Sequence, residues 1–167
     1  ASPTILAGTP TRSSMIPRWS GANVRELLAG RLAVPLVIEN ETRLSARGEH
    51  VWGAARGVDD FVYLKLHSGV CGAIAANGVF ISGKNGGAGE VGHVSHDPAG
   101  PQCRGGNRGC LETYASIPAV LARLRPIHPD IDLRRLLALF ADDDPAAVEA
   151  MSEACSKVAQ VAAMLCN

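Results

Sequence analysis

"DFVYLKLHSGVCGAIAANGVFISG", residues 60–83, decides the fold class of this chain. Its runs Phe61–Leu66 and Val70–Ala76 are rich in β-branched and aromatic residues and predict two strands, joined around Ser68-Gly69. The Asn77-Gly78 pair predicts a tight hairpin turn to a third strand, because both residue types tolerate positive φ. The centre of the chain is therefore expected to form a sheet.

Helical and strand patterns alternate before this sheet. Apolar residues recur at a helical period in segment 20–33, and Ser20 is a candidate N-cap. The run "VPLVIEN" at 34–40 predicts a short buried strand that ends in polar residues. Segment 42–57 is helical again, and Gly57 is placed to end it. Alternation of this kind is typical of an α/β fold.

The second half of the chain begins with a loop and ends in helices. Residues 83–109 contain nine glycines, which predicts a loop ordered by something other than regular structure. Helices are expected over 111–124, 132–141 and 145–166. Asp144 is the expected N-cap of the last helix, with Pro145 at its first position.

Composition excludes several classes of function. The 16 basic and 16 acidic residues cancel, so no basic surface for nucleic acid is expected within these residues. No apolar run reaches the roughly 18 residues of a membrane span, and no signal-peptide pattern opens the chain. Five cysteines, an odd number, favour a reducing, cytoplasmic location in which clustered Cys and His would bind metal.

The chain has the character of a fragment. It lacks an initiator methionine and stops inside a helical pattern, "AAMLCN". We therefore expect residues 1–167 to form part of a larger domain.

Three polar groups are candidates for ligand contact. "ENE" at 39–41 contributes Asn40 and Glu41, and the glycine-rich segment 86–100 contributes Glu90 and His93. Glu112 begins a predicted helix. Carboxylate, amide and imidazole groups suit a hydroxyl-rich ligand, because a hydroxyl both donates and accepts hydrogen bonds.

"GPQCRGGNRGCLE" at 100–112 resembles a zinc knuckle with one part missing. Cys103 and Cys110 flank a glycine-rich turn, and His93 lies ten positions before Cys103. A structural zinc site has four ligands, and Gly105 stands where the fourth would be expected. Two alternatives remain open: His96 completes the site, or zinc is lost and the loop is packed by its own side chains.

Several motifs in matching order, from about Trp19 to Ser116, resemble the ROK family. They are "PLVIENETRLSARGE", "GAARG", "GVCGAIAANG", "AGEVGH" and "CRGGNRGCLETYAS". The family comprises bacterial sugar kinases and sugar-responsive repressors built on the actin-like ATPase fold. The resemblance implies sugar contacts at Asn40, Glu90, His93 and Glu112. It also implies a zinc site at His93, Cys103 and Cys110, with a family cysteine replaced by Gly105 and the knuckle's turn glycines retained at Gly106 and Gly109.

Two departures from the family pattern bear on function. Its kinases carry a catalytic Asp after the asparagine, where this chain has Glu41, and a displacement of about 1 Å at a reacting group can reduce the rate about 100-fold. The family's phosphate turn Gly-Thr-Gly is His67-Ser68-Gly69 here. The family's N-terminal Asp-x-Gly-Gly-Thr loop and C-terminal adenosine-binding segment do not occur in these residues.

The resemblance and its departures favour the sugar- or phosphosugar-sensing domain of a transcriptional repressor. Such a protein would bind DNA through a helix-turn-helix outside these residues and form a homodimer or higher oligomer. The alternative is part of an ATP- and Mg-dependent ROK sugar kinase with Glu41 as base. A zinc hydrolase using His93 and His96 lacks support from any H-E-x-x-H spacing.

Some of these residues also have simpler structural interpretations. Glu41 is also explained as a helix-start carboxylate, and His67 as a turn residue. Trp19 and Trp52 are candidates for the core or for a ligand wall.

Overall fold

The computed structural model describes residues 22–167 and the backbone of the pairs 5–6 and 9–10. The chain divides into two compact units. The first contains Ala1–Leu64 and Cys71–Glu90, and the second contains Lys65–Val70 and Val91–Asn167. The N-cap prediction at Ser20 and the prediction for Trp19 lie outside the described residues.

The first unit begins with short elements. Strands β1 (Ile5–Leu6) and β2 (Thr9–Pro10) pair antiparallel. Helix α1 covers Val24–Ala29, so the helix predicted over 20–33 is shorter. It starts where the Asn23 side chain accepts a hydrogen bond from the Glu26 N–H.

The strand predicted at 34–40 is wrong. This segment is irregular, and Val34 and Val37 are 61% and 87% exposed. A strand needs a neighbour to satisfy its backbone groups, and none of the described strands pairs with this segment. The polar group at 39–41 therefore does not follow a strand. Asn40 is instead the N-cap of α2 (Glu41–Trp52).

Helix α2 ends at Gly53, four residues before the predicted stop at Gly57. The reason is Glu49, whose carbonyl accepts from the N–H groups of Gly53 and Ala55 and whose carboxylate accepts from the Ala54 N–H. Gly57 lies in the following turn. Trp52, a candidate for the core, is 81% exposed at the end of this helix.

The predicted sheet is confirmed. It consists of β3 (Phe61–Leu66), β4 (Val70–Ala76) and β5 (Val79–Phe80), in the order β3-β4-β5. The β4–β5 hairpin turns at Asn77 and Gly78, whose φ angles of 50° and 73° are those of the expected turn. The core of the first unit consists of three alanines and one phenylalanine: Ala46, Ala73, Ala75 and Phe80. The partly buried Phe61 and Tyr63 pack against this core.

The second unit is mainly helical. Its helices are α3 (Glu112–Ala115), α4 (Ile117–Leu124), α5 (Leu133–Ala141) and α6 (Pro145–Cys166). The single helix predicted over 111–124 is two helices, because the extended Ser116 caps α4 and Pro118 lies in its first turn. The cap at Asp144 and Pro145 at the first position of α6 are confirmed.

Helices α3, α4 and α5 all pack against α6. Between α4, α5 and α6 lies a cavity of about 360 Å³, and its lining is almost entirely apolar. Leu136, Met151 and Ala154 are among its lining residues. No helix in the described part of the chain has the length and apolarity to cross a bilayer.

Candidate functional site

Loop 100–110 of the second unit is ordered by hydrogen bonds within its own backbone. The Cys103 N–H donates to the Asn107 carbonyl (2.7 Å), and the Gly109 N–H donates to the Pro101 carbonyl (2.8 Å). Gly109 has a φ of +60°, and a Cβ there would lie 1.8 Å from the Asp97 carbonyl oxygen. Only glycine therefore fits this position of the loop.

This loop brings three candidate metal ligands together. One ligand atom each from His93, Cys103 and Cys110 lies within 4.8 Å of the others, and Cys103 Sγ is 3.6 Å from His93 Nδ1. Tetrahedral zinc with ordinary Zn–S and Zn–N bonds would set these separations at about 3.5–3.8 Å. Both cysteines are buried. The arrangement therefore fits three of the four positions of a zinc site.

The two thiols have opposite electrostatic environments. Burial raises the pKa of Cys103, but hydrogen bonds from the Cys110 thiol and from the Gly105 and Asn107 N–H groups outweigh it, and its pKa is lowered overall. Burial and the neighbouring Cys103 raise the pKa of Cys110 to about 11. Of the two sulfurs, Cys103 is therefore the nearer to the thiolate form that binds metals.

Gly105 faces this cluster. A Cβ built there would lie 3.2 Å from His93 Cε1 and 3.5 Å from Cys103 Sγ. A side chain at position 105 would therefore occupy the fourth side of the group. His96 is not part of this cluster, and its Nδ1 instead lies 3.1 Å from Gln160 Oε1.

A second group of site residues surrounds Glu112, the first residue of α3. Glu112 is only 4% exposed, and a Cβ on Gly69 would lie 2.7 Å from its Oε2. Arg104 reaches the same place, with Nε 3.5 Å from Glu112 Oε1 and Nη2 donating to the Ser68 carbonyl at 2.7 Å. The structure thus brings together Ser68, Gly69 and Glu112, which the sequence had placed in separate motifs.

His67 has a backbone role in this turn. Its N–H donates to the Gly69 carbonyl, its carbonyl accepts from the Ile117 N–H, and the residue is exposed. These contacts agree with the simpler interpretation of His67 as a turn residue.

The remaining site residues, Asn40, Glu41 and Glu90, lie in the first unit. The buried Asn40 caps α2, and its Oδ1 accepts from the N–H groups of Thr42 (2.8 Å) and Arg43 (3.3 Å). Glu41 is exposed at the first position of the helix, and Glu90 is half-buried.

Arg43 holds the glycine-rich segment that leads to Glu90. It is 2% exposed, binds Glu39 at 2.6 Å, and donates to the carbonyls of Gly86 (3.2 Å) and Ala88 (3.4 Å). Burial raises the pKa of Glu39, but the hydrogen bonds from Arg43 and the Asn40 N–H, together with the charges of Arg43 and Arg47, outweigh it, so the pKa is lowered overall.

Sequence reasoning missed both Arg43 and Arg104. The Glu39–Arg43 spacing is that of an ordinary exposed pair on a helix, and nothing in it indicates burial. The only available signal for Arg104 was its position beside Cys103.

Comparisons with known proteins identify the family of this chain. The sequence profile of the ROK family matches residues 9–167. The chain belongs to the ROK family. The resemblance stated from the motifs is confirmed, and so is an α/β fold of the actin-like ATPase type.

Both repressors and kinases are among the ROK relatives. The chain is 32% identical over 133 residues to a xylose repressor of Bacillus subtilis, covering 80% of this chain and 35% of the repressor. It is 37% identical over 113 residues to a glucokinase of Thermotoga maritima, covering 68% of this chain and 36% of the glucokinase. The chain thus spans about a third of the length of these curated relatives.

A solved ROK structure has the same fold. A ROK family transcriptional regulator, a homolog of the E. coli MLC protein, matches with a TM-score of 0.80 and 27% identity. The match covers 87% of this chain and 40% of that regulator. ROK membership is therefore established, and both repressors and kinases occur among these relatives.

Proposed function

We propose that this chain is the sugar- or phosphosugar-sensing part of a ROK transcriptional regulator. The observation that carries the proposal is a contrast within the candidate site. The buried Glu112 carboxylate is held against an ordered turn, whereas the two positions that a ROK kinase needs for phosphoryl transfer are altered, at Glu41 and His67. A sensor needs only the binding half of the machinery.

Sugar binding would use groups of complementary hydrogen-bonding type. The Asn40 carbonyl oxygen already accepts from the α2 backbone, which makes its amide N–H₂ the part suited to donate to a hydroxyl. The carboxylates of Glu90 and Glu112 would accept from hydroxyls. His93 would contact the sugar while also serving the metal cluster, as the family resemblance implies.

The altered positions weigh against efficient phosphoryl transfer. Glu41 is one methylene longer than the family's aspartate, and a base displaced by about 1 Å can lose about 100-fold in rate. At the turn, His67 replaces a glycine whose lack of a side chain would let the backbone approach a phosphate closely.

We also propose that His93, Cys103 and Cys110 hold Zn²⁺. The support is the Cys103–His93 separation of 3.6 Å together with the two buried sulfurs, a donor set that suits this metal. Zinc would tie His93 to the already ordered loop that precedes Glu112 and take no part in a reaction. The fourth coordination position would face Gly105.

A ROK sugar kinase is the second candidate. The 37% identity to the glucokinase favours it, and Glu41 still offers a carboxylate at the position of the base. Under this alternative the protein would use ATP and Mg²⁺. DNA binding through a helix-turn-helix outside these residues, and assembly as a homodimer or larger oligomer, belong to the regulator proposal.

The test uses the protein expressed from its full reading frame. The first assay measures ATP turnover with glucose, xylose and N-acetylglucosamine, and the second measures sugar-dependent release of DNA selected by the protein from a random library. We expect no turnover, and DNA release that Glu41→Gln leaves unchanged. Turnover of about 1–100 s⁻¹ that Glu41→Gln abolishes would establish the kinase alternative.

Glu41→Asp is the matched variant. It restores the family's shorter carboxylate without changing charge, so in a kinase it would maintain or raise turnover. In the proposed regulator it would leave turnover at background and DNA release unchanged.

A further inference from the structure

Arg104 links the candidate metal loop to the candidate sugar carboxylate. Its backbone lies between Cys103 and Gly105, within the loop that carries two of the three metal-type ligands. Its side chain leaves this loop, donates to the Ser68 carbonyl at 2.7 Å, and places Nε 3.5 Å from Glu112 Oε1. One side chain therefore contacts two other segments of the second unit.

The contact with Arg104 bears on the orientation of the Glu112 carboxylate. Its side chain is 5% exposed, so the directions of its two carboxylate oxygens are set by neighbours and not by water. Oε1 faces Arg104, and Oε2 faces Gly69. A guanidinium presents several N–H donors in a rigid plane, so it can hold a carboxylate and a carbonyl in one fixed arrangement, which a lysine ammonium would hold only in part.

The conformation of the cysteine loop fixes the position of the Arg104 backbone, from which its side chain extends. The backbone N–H groups of Gly105 and Asn107 point to the Cys103 sulfur, and the Gly106 N–H donates to the Cys103 carbonyl at 3.0 Å. The backbone on the C-terminal side of Arg104 is therefore organised around this sulfur. A change at Cys103 would move the origin of the Arg104 side chain.

We infer that Arg104 is a positioning residue, which sets the orientation of the Glu112 carboxylate and of the Ser68-Gly69 turn for sugar binding and makes both depend on the order of the cysteine loop. The inference rests on the proposed sugar-binding function. It assigns to Arg104 no contact with the sugar itself.

The test compares Arg104→Gln, Arg104→Lys and the wild type, each expressed from the full reading frame. Calorimetry first identifies the sugar that binds the wild type most tightly, and this sugar is then used throughout. The sugars compared are glucose, N-acetylglucosamine and their 6-phosphates, and xylose and its 5-phosphate. Removing a residue that orients a metal ligand typically costs about 10–100-fold, and by analogy Arg104→Gln is expected to weaken sugar binding about 10-fold. Arg104→Lys should recover part of this loss.

Arg108→Gln is the matched control. Arg108 lies in the same loop, and its guanidinium donates to the Gly100 carbonyl at 3.2 Å. Its removal should change sugar affinity less than 2-fold. Zinc content and melting temperature are measured for every variant, and Arg104→Gln should retain both.

A double-mutant cycle separates positioning from a general structural effect. If Arg104 acts through Glu112, Arg104→Gln should cost less than 2-fold in a Glu112→Gln background. Full additivity of the two losses, wild-type affinity in Arg104→Gln, or loss of zinc from that variant would each overturn the inference. If Glu112→Gln leaves no measurable binding, the lysine variant decides, and binding no tighter than that of Arg104→Gln counts against positioning.

Failure of the underlying function has a different signature. In that case the wild-type protein itself binds none of the sugars or sugar phosphates in the panel, which overturns the sugar-binding function and the role of Arg104 together. Binding by the wild type that is insensitive to Arg104 overturns the inference alone.

Discussion

At the scale of single residues, the most consequential position is Gly105, where one missing side chain separates three metal-type ligands from four. Because a Cβ there would lie 3.5 Å from Cys103 Sγ, Gly105→Cys should place a sulfur at the fourth position. We expect zinc to bind at least about 10-fold more tightly, since a closed four-ligand site is the form that contributes to folding stability. Competition with a chromophoric chelator measures the affinity.

Gly105→Ser is the control, because it adds a side chain of similar size with a weaker ligand atom. It should leave zinc affinity near that of the wild type. Equal zinc affinity in the wild type and Gly105→Cys would mean that another group already completes the site.

The ion pair between the half-buried Glu39 and the buried Arg43 predicts a pH dependence of stability. The pKa of Glu39 in the folded protein lies below its ordinary value of 4.5, so its stabilising contribution is complete above about pH 4.5 and is lost as the pH falls through the lowered pKa. Glu39→Gln should therefore have a lower free energy of unfolding than the wild type at pH 7. The difference in free energy of unfolding between the two proteins should be smaller near pH 3. Urea unfolding at the two pH values measures it.

Glu149→Gln removes an exposed carboxylate on α6 and serves as the comparison. Its difference from the wild type should stay small at both pH values. A Glu39→Gln difference that is unchanged at low pH would show that the ion pair does not contribute in this way.

At the scale of elements, Ser116 separates α3 from α4. Its hydroxyl accepts a hydrogen bond from the Ala119 N–H at 3.3 Å, and the residue is buried. Ser116→Ala should lower the free energy of unfolding by about 1 kcal/mol, the usual cost of removing such a cap. Ser156→Ala, at an exposed interior position of α6, should not be destabilising, because alanine is the better helix former. Urea unfolding of both variants checks the prediction.

Elements with strong local signals could be predicted from the sequence. β3, the Asn77-Gly78 hairpin and the capped start of α6 each depend on residues within a few positions of one another. The strand predicted at 34–40 was wrong, because an apolar run does not show whether a pairing partner exists.

In the candidate site, too, features with a local sequence signal could be predicted and features that depend on distant residues could not. The gathering of His93, Cys103 and Cys110 followed from motif spacing and family resemblance, and the structure brings their ligand atoms together. The contacts of Arg43 with Gly86 and of Arg104 with Ser68 join residues 43 and 36 positions apart. Only tertiary packing creates such contacts, so neither arginine could be recognised from its neighbours in sequence.

At the scale of the whole molecule, the apolar cavity of about 360 Å³ in the second unit is open to solvent, and Leu137 in its lining is 54% exposed. Ala159 of α6 lines this cavity, so Ala159→Leu should fill part of it and raise the free energy of unfolding by about 0.5–1 kcal/mol. Ala163→Leu makes the same change at a position of the same helix that is also exposed but does not line the cavity, so it should have little effect. Equal effects of the two variants in urea unfolding would contradict a cavity-filling origin.

The cysteines differ in exposure, so their rates of alkylation can report how often the folded chain opens. Cys71, Cys103 and Cys110 are buried, whereas Cys155 and Cys166 are exposed on α6, and all five are free thiols. An alkylating reagent should therefore modify two sulfurs of each folded molecule quickly and the other three only when the chain opens. The slow phase would time the opening events of the native protein, without any added label.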